Sequence, residues 1–203
     1  MAHRRSLIVT AAIALAASVV LPGCDKLGIG AASTQPTFKG VDITGPTFTY
    51  SLHDQNGQLR TPESFKGQVT AVFFGYTQCP DVCPTSMAEI AQVKKALGKD
   101  GDRLQGIFIT VDPERDTPEL MKAYVTNFDP KFLGLSGTLD ETKAAAASFK
   151  AFFAKVPGKE AGSYTMDHTA GIYVFDTKGQ VRLFERYGVS ADDLTSDIKA
   201  LLS

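Results

Sequence analysis

The chain has 203 residues, of which 43% are hydrophobic, with 21 basic and 22 acidic side chains and a net charge of −1. This length and composition suit one well-buried globular domain. Because the charges are interspersed and nearly balanced, the sequence offers no basic face, and we predict no binding to nucleic acid.

The first 23 residues have the pattern of an export signal. Arg4 and Arg5 precede an apolar stretch that runs from Leu7 to Leu21. About fifteen apolar residues fit the core of a signal peptide and fall short of the roughly 20 that a membrane-spanning helix needs. We predict a signal peptide over residues 1–23, with a short uncleaved anchor as the alternative.

The apolar stretch ends in "LPGC", which resembles the lipobox of bacterial lipoproteins. The cysteine of a lipobox is diacylated and becomes the new N-terminus, so this resemblance makes Cys24 a lipidation site. Asp25 resembles the signal that keeps such lipoproteins in the inner membrane. The resemblance therefore implies a protein anchored by lipid at the periplasmic face of the bacterial inner membrane. Residues 24–44 are rich in Gly, Ala, Ser and Thr, which predicts a flexible, lipid-anchored linker.

The domain predicted over residues 45–203 opens with a hairpin, a strand and a helix. The hairpin lies in "FTYSLHDQNGQLR", because Asn56 and Gly57 both accept positive φ. Residues 68–76, "QVTAVFFGY", form a nearly continuous apolar run that is typical of a strand buried on both faces. The segment "CPTSMAEIAQVKKAL" follows, and its apolar residues at helical spacing predict a helix.

Six further elements complete the domain. "RLQGIFITV" predicts a second buried strand, and "DTPELMKAYVTNF" predicts a helix with Thr117 as N-cap and Pro118 at its first position. Next come a short strand, "KFLGLSG", a third helix, "LDETKAAAASFKAFF", a hairpin around Lys178-Gly179, and a closing helix, "SADDLTSDIKALL".

A β-α-β half followed by a β-β-α half is typical of an α/β thioredoxin-like fold, here with an added N-terminal β-hairpin and a central insertion. A flavodoxin-like sheet is the alternative, and it requires a parallel end instead of the Lys178-Gly179 hairpin. In the thioredoxin-like fold the strand that ends at Tyr76 lies antiparallel to the strand that starts near Gly171. The loop before Gly171, "YTMDHTAG", then faces the two cysteines and brings His168 to them.

Cys79 and Cys83 are predicted just before a helix and in its first turn. Unpaired backbone N–H groups and the helix dipole favour the thiolate there. In an exported protein such a pair forms a structural disulfide, a nucleophile with its resolving partner, or two arms of a metal site. Two thiolates and the imidazole of His168 are a ligand set that suits Cu(I) and can also hold Cu(II) or zinc.

Three segments, "FFGYTQCPDVCPTSM", "VDPERDTPEL" and "MDHTAGIYVFD", resemble the signature segments of the Sco/SenC family. These are membrane-anchored, thioredoxin-like copper proteins that help to build the binuclear copper site of cytochrome c oxidase. The resemblance runs from about Thr47 to Leu202. It implies that Cys79, Cys83 and His168 bind copper as Cu(I) and Cu(II), and that Asp167 orients the imidazole.

The partners implied by the resemblance are the copper-site subunit of cytochrome c oxidase and other periplasmic copper carriers. We predict a metallochaperone without enzymatic turnover. The alternative is a thiol–disulfide reductase, in which Cys79 and Cys83 form a redox-active disulfide while they reduce the cysteines of the copper-site target. Reductases of the thioredoxin type place a cis-proline opposite the cysteines, whereas "DHTAG" has an imidazole and no proline, which favours the metal.

The second segment, "VDPERDTPEL", has two interpretations. Asp112 and Pro113 end a strand on the same sheet edge as the cysteines, so they are candidates for the rim of the site or for a docking surface. Alternatively, Pro113 and Arg115 build the turn and Asp116 caps the helix that follows. We keep Met87 and Met166 as core residues rather than thioether ligands.

Overall fold

The computed structural model describes residues 37–203. The predicted signal peptide, Cys24 and most of the predicted linker lie outside the described residues. Within them, no helix has both the length and the hydropathy that a membrane span requires.

The described chain contains ten strands, four α-helices and two short 3-10 helices. The strands are β1 Val41–Asp42, β2 Leu52–Asp54, β3 Leu59–Arg60, β4 Val69–Gly75, β5 Leu104–Thr110, β6 Leu133–Ser136, β7 Phe153–Pro157, β8 Tyr164–His168, β9 Gly171–Phe175 and β10 Val181–Arg186. The helices are α1 Val82–Ala96, α2 Pro118–Thr126, α3 Leu139–Ser148 and α4 Ala191–Leu202, and the 3-10 helices are Pro62–Phe65 and Gly98–Arg103.

Eight strands form one mixed sheet in the order β1-β10-β9-β4-β5-β6-β2-β3. Strands β4, β5 and β6 run parallel, and β9 pairs antiparallel with β4 through Val72 and Tyr173. The hairpins predicted at Asn56-Gly57 and Lys178-Gly179 are confirmed as β2–β3 and β9–β10. Both glycines have φ near +80°, the region that glycine adopts at little cost. This is the predicted thioredoxin-like arrangement.

The core lies on β4 and β5, whose seven residues each are all buried. Burial on both faces explains why these segments read as continuous apolar runs rather than alternating ones. An aromatic cluster packs beside them, with Phe149 about 5 Å from both Phe74 and Tyr173 between ring centroids. Helix α1 packs against α4, β4 and β5. The loop between β4 and α1 is therefore held at both ends by packed elements.

Three features differ from the sequence-based expectation. The third helix ends at Ser148 rather than near Phe153, because Lys150 adopts a positive φ of 54° that no helix continues through. The chain then forms β7 and β8, a separate two-stranded sheet, where we predicted only a loop. Strand β1 also lies within the stretch predicted as linker and pairs with the edge of β10.

A buried pair of acids fastens this N-terminal strand to the domain. Asp197 of α4 accepts hydrogen bonds from the backbone N–H groups of Lys39, at 2.9 Å, and Gly40, at 2.8 Å. Glu185 of β10 is buried beside it, and its carboxyl group occupies the space where a side chain at position 40 would begin. Burial, together with the neighbouring Asp197, Asp193 and Glu89, raises the pKa of Glu185 to about 8, and burial is the largest of these causes.

We expect stability to fall as pH rises through the window between the two pKa values of Glu185, about 4.5 unfolded and about 8 folded. Below this window Glu185 is protonated in both states, and within it only the unfolded chain releases the proton, so folding becomes less favourable. One unit of pKa difference corresponds to about 1.4 kcal/mol. Urea unfolding of the wild type and Glu185→Gln at about pH 5 and about pH 8 measures the effect. The wild type should lose stability relative to the variant, and parallel pH profiles would contradict the prediction.

Candidate metal centre

The two cysteines lie where the sequence places them. Strand β4 ends at Gly75, a short loop carries Cys79, and Cys83 is the second residue of α1. Both thiols are free and buried, with Cys79 9% and Cys83 0% exposed. A buried pair at the start of a packed helix is held in a defined position, and it needs little rearrangement to bind a ligand.

Asp116 fixes the loop that leads to Cys79. Its buried carboxylate accepts a hydrogen bond from the backbone N–H of Thr77 at 3.1 Å, and it accepts from the hydroxyl groups of Thr77 and Thr110 at 2.6 Å each. The loop after β4 is thereby tied to the end of β5. The alternative in which Asp116 caps α2 is wrong, because the predicted N-cap, Thr117, caps the helix by accepting from the N–H of Leu120.

His168 is the last residue of β8 and pairs with Phe153 of β7. The sequence placed it in a loop, and the strand pairing corrects that expectation. Its Nε2 lies 3.4 Å from the Sγ of Cys83. The ligand atoms of Cys79, Cys83 and His168 all lie within 4.8 Å of one another, so the structure brings the three predicted residues together.

A backbone carbonyl orients the imidazole. The Nδ1 of His168 lies 3.1 Å from the carbonyl oxygen of Thr169, which can only accept a hydrogen bond. The geometry therefore assigns the proton to Nδ1 and leaves the lone pair of Nε2 facing the cysteine sulfurs. The rings of Phe73 and Tyr76 meet the imidazole edge-on, at 5.9 Å and 6.0 Å between centroids.

Asp167, predicted to orient the imidazole, is exposed and adjacent to it in β8. Within the described residues 37–203, the Asp167 carboxylate makes no hydrogen bond to the imidazole ring. Its negative charge raises the pKa of His168, but burial lowers that pKa by more. Any part that Asp167 takes in tuning the imidazole therefore acts through charge and remains a prediction.

Burial favours the uncharged forms of two of the three proposed ligands, His168 and Cys83. Burial lowers the pKa of His168 and favours its neutral form. Burial also raises the pKa of the Cys83 thiol, and a hydrogen bond with Cys79 adds to this. The sequence predicts that the helix N-terminus favours the thiolate, but the removal of Cys83 from water is the larger effect and favours the thiol. A bound cation would supply the charge that makes thiolates stable there, with release of protons.

The donor set is soft and incomplete for a closed zinc site. Two sulfurs and one imidazole nitrogen suit copper, whereas structural zinc takes four protein ligands. In the part of the chain that the structure describes, no further His, Cys, Asp or Glu joins this group. Met87 and Met166 are buried core residues, in line with the role predicted for them.

Comparison with known proteins gives the chain its family. The SCO1/SenC family model matches residues 39–203. The chain belongs to the SCO1/SenC family. This assignment covers the whole described domain except for its first residues.

Three proteins illustrate the similarity of this SCO1/SenC chain to known members. The SCO2-like protein of Rickettsia felis is 38% identical over 132 residues, which cover 64% of this chain and 64% of the relative, so the chain matches slightly less than two thirds of that protein. The structure of Bradyrhizobium japonicum ScoI with copper bound is 46% identical, with a TM-score of 0.71 over 78% of this chain and 100% of ScoI.

The third is BsSco, described as a member of the Sco family of cytochrome c oxidase assembly proteins in which a disulfide switch was identified. It is 26% identical, with a TM-score of 0.60 over 80% of this chain and 96% of BsSco. The homologous ScoI structure therefore holds copper, and both ScoI and BsSco share the fold seen here.

Two residues of the SCO1/SenC site were missed by sequence reasoning. A Cβ atom at Gly75 would lie 2.8 Å from the Sγ of Cys83, so this glycine provides the space for the sulfur. A glycine at the end of an otherwise bulky buried strand is the signal that could have identified it. The carbonyl of Thr169 orients His168 through the backbone, and no side-chain pattern indicates such a contact.

Proposed function

We propose that this protein holds one copper ion on Cys79, Cys83 and His168 and delivers it to the binuclear copper site of cytochrome c oxidase during assembly of the enzyme. The observation that carries the proposal is the convergence of two buried sulfurs and one oriented imidazole within 4.8 Å. The copper bound to the related ScoI supports copper as the metal.

The ligand set supports binding of both oxidation states of copper. Two thiolates can hold Cu(I) in a nearly linear arrangement without a third ligand, whereas Cu(II) prefers higher coordination that includes nitrogen. The Nε2 of His168 faces the sulfurs with its lone pair free, which suits the third position. Binding of Cu(II) should therefore depend on the imidazole more strongly than binding of Cu(I) does.

We also propose that the domain is exported and anchored by lipid. The signal pattern over residues 1–23, the lipidation site at Cys24 and the linker that follows would place the copper site at the periplasmic face of the bacterial inner membrane. The proposed partners are the copper-site subunit of the oxidase and other periplasmic copper carriers.

A thiol–disulfide reductase is the second candidate. Both thiols are free, and Cys79 is the more accessible of the two, so its sulfur would attack an acceptor disulfide while Cys83 resolves the mixed disulfide. The dithiol gives two electrons and two protons to the acceptor, which leaves two acceptor thiols and a Cys79–Cys83 disulfide. The disulfide switch described for BsSco supports this chemistry in a relative.

A transfer experiment separates the two functions. Copper-loaded protein is mixed with the reduced, metal-free copper domain of an oxidase subunit, and reduced metal-free protein is mixed with the same domain in its oxidised form. Absorption of the copper site and free thiols are followed together. For a chaperone we expect copper to move only to the reduced domain, and His168→Ala to be defective in transfer. The matched control is His53→Ala, which removes an exposed histidine of β2 and should transfer normally.

Recovery of acceptor thiols without copper movement, unaffected by His168→Ala, would establish the reductase instead. If copper moves to the reduced domain and thiols also appear in the oxidised one, the protein serves both steps in succession. A disulfide between Cys79 and Cys83 removes both thiolates, so the oxidised protein should not bind copper tightly in any mixture. Copper should in turn protect the pair from oxidation by mass action.

A further inference from the structure

Arg115 connects the segments that carry the three proposed copper ligands. It lies in the turn after β5, and its side chain is 23% exposed. Its Nε donates to the buried carboxylate of Asp112. Its Nη1 donates to the carbonyl oxygen of Tyr164 at 3.0 Å and to the Oε1 of Gln78 at 3.3 Å.

The guanidinium also packs on the aromatic rings beside the site. Its Cζ lies 3.7 Å from the centroid of the Tyr164 ring and 5.7 Å from that of Tyr76. Tyr164 in turn donates its hydroxyl to Asp112 at 3.0 Å. The guanidinium, the tyrosine and the carboxylate therefore form one closed cluster, and a planar cation is well suited to stack and to donate in several directions at once.

This cluster holds the strand that carries His168. Tyr164 is the first residue of β8 and His168 is the last. Among residues 37–203, β8 has no strand partner other than β7, and an isolated two-stranded hairpin is marginally stable. Contacts outside the hairpin must therefore fix its position against the main sheet. Those of Arg115 to the backbone and ring of Tyr164 do so at the start of the strand.

The same guanidinium reaches the cysteine side of the site. Gln78, which accepts from Nη1, directly precedes Cys79 in the loop. Tyr76, the other ring near the guanidinium, meets the imidazole of His168 at 6.0 Å. Arg115 thus touches both the loop of the thiol and the hairpin of the imidazole, although it contacts none of the three proposed ligands.

We propose that Arg115 is a positioning residue that holds the β7–β8 hairpin against the cysteine loop and thereby sets the affinity of the site for Cu(II) relative to its affinity for Cu(I). This inference rests on the proposed copper function. Cu(II) depends on the distance between the imidazole and the two sulfurs, whereas Cu(I) can remain on the sulfurs alone. Loosening of the hairpin therefore weakens Cu(II) selectively.

The test compares Arg115→Lys with a matched control, Arg60→Lys. Arg60 is 26% exposed, its Nε is paired with the buried carboxylate of Asp54 at 2.9 Å, and its guanidinium lies near the ring of Phe65, but it belongs to the N-terminal hairpin β2–β3. Lysine keeps the charge at both positions and removes the planar, multiply donating group. Any general cost of losing an arginine–aspartate pair is shared by the two variants.

For Arg115→Lys we expect Cu(II) affinity to fall by about 10- to 100-fold, the range for residues that orient metal ligands, while Cu(I) affinity changes by less than about threefold. The nitrogen coupling in the electron paramagnetic resonance spectrum of the Cu(II) form should weaken. In the background of His168→Ala, Arg115→Lys should cost Cu(II) binding little more, because the two changes act through the same ligand. Arg60→Lys should leave the ratio of the two affinities and the spectrum unchanged.

Tyr164→Phe provides a milder variant, since it removes only the hydroxyl bond to Asp112. It should shift the ratio of Cu(II) affinity to Cu(I) affinity in the same direction as Arg115→Lys, by a smaller factor. This variant keeps the test usable if Arg115→Lys does not fold. Equal losses of Cu(I) and Cu(II), or an unchanged nitrogen coupling in both variants, would overturn the positioning role. If variants of Cys79, Cys83 and His168 bound copper as tightly as the wild type does, the proposed function would fail instead.

Discussion

Replacement of Cys83 by serine is expected to abolish tight copper binding in both oxidation states. The Sγ of Cys83 lies at the centre of the site, 3.4 Å from the Nε2 of His168 and packed where Gly75 leaves room for it. Serine is nearly the same size, so the fold should persist, but its hydroxyl is a hard donor that does not replace a thiolate on copper. The loss should exceed about a hundredfold, because even residues behind the ligands cost about 10- to 100-fold when changed.

Competition with a chelator for each ion measures this loss, and the sulfur-to-copper charge-transfer absorption of the Cu(II) form should disappear. Cys79→Ser should behave in the same way, since its sulfur belongs to the same group. Thermal unfolding without metal serves as the control that each variant folds. Retention of the charge-transfer band in the double variant would show that copper is held elsewhere.

His168→Ala is expected to weaken Cu(II) binding by more than about a hundredfold and Cu(I) binding much less. The imidazole is held with Nδ1 against the Thr169 carbonyl and Nε2 towards the sulfurs, so its removal takes away a preorganised nitrogen ligand. Two thiolates are enough for Cu(I), whereas Cu(II) loses its only nitrogen donor of the proposed set. Separate titrations with the two ions under matched conditions test the difference.

His53→Ala is the matched control, because it removes an exposed histidine from β2 and should bind both ions as the wild type does. A uniform loss of both ions in His168→Ala would mean that the imidazole supports the fold of the site rather than one oxidation state. A uniform lack of effect would remove His168 from the ligand set.

These two results would also distinguish this site from an ordinary exported disulfide. A structural disulfide does not require an imidazole 3.4 Å from one of its sulfurs. Its two cysteines would also be bonded to each other, whereas Cys79 and Cys83 are free thiols. The burial of both sulfurs favours a soft cation that stabilises thiolates on binding. Copper binding and reversible thiol oxidation would therefore compete for the same two sulfurs.

Much of the fold could be predicted because its strongest signals are local. The continuous apolar runs of β4 and β5 reflect burial on both faces, and the two glycine turns reflect a backbone conformation that few other residues adopt. The spacing of the cysteines relative to α1 depended only on where the apolar strand ends and the helical pattern begins. Each of these features depends on neighbours within a few residues.

The position of His168 beside the cysteines required one further step. Its sequence neighbours do not indicate a metal site, and only the antiparallel pairing of β9 with β4 brings the two segments to the same edge of the sheet. The thioredoxin-like order of elements predicted that pairing. The sequence therefore indicates the site only through the fold.

The sequence by itself determined the order of the thioredoxin-like elements, the two glycine hairpins, the buried central strands and the family signature that contains the cysteines and the histidine. The tertiary structure alone decided that His168 ends a strand, that the Thr169 carbonyl orients its ring, and that Arg115 joins the hairpin to the cysteine loop. The physical reason is the range of the interactions. Turn conformation and hydrophobic periodicity are properties of short segments, whereas the β7–β8 pairing and the contacts of Arg115 join residues far apart in the chain, and their geometry exists only once the sheet has formed.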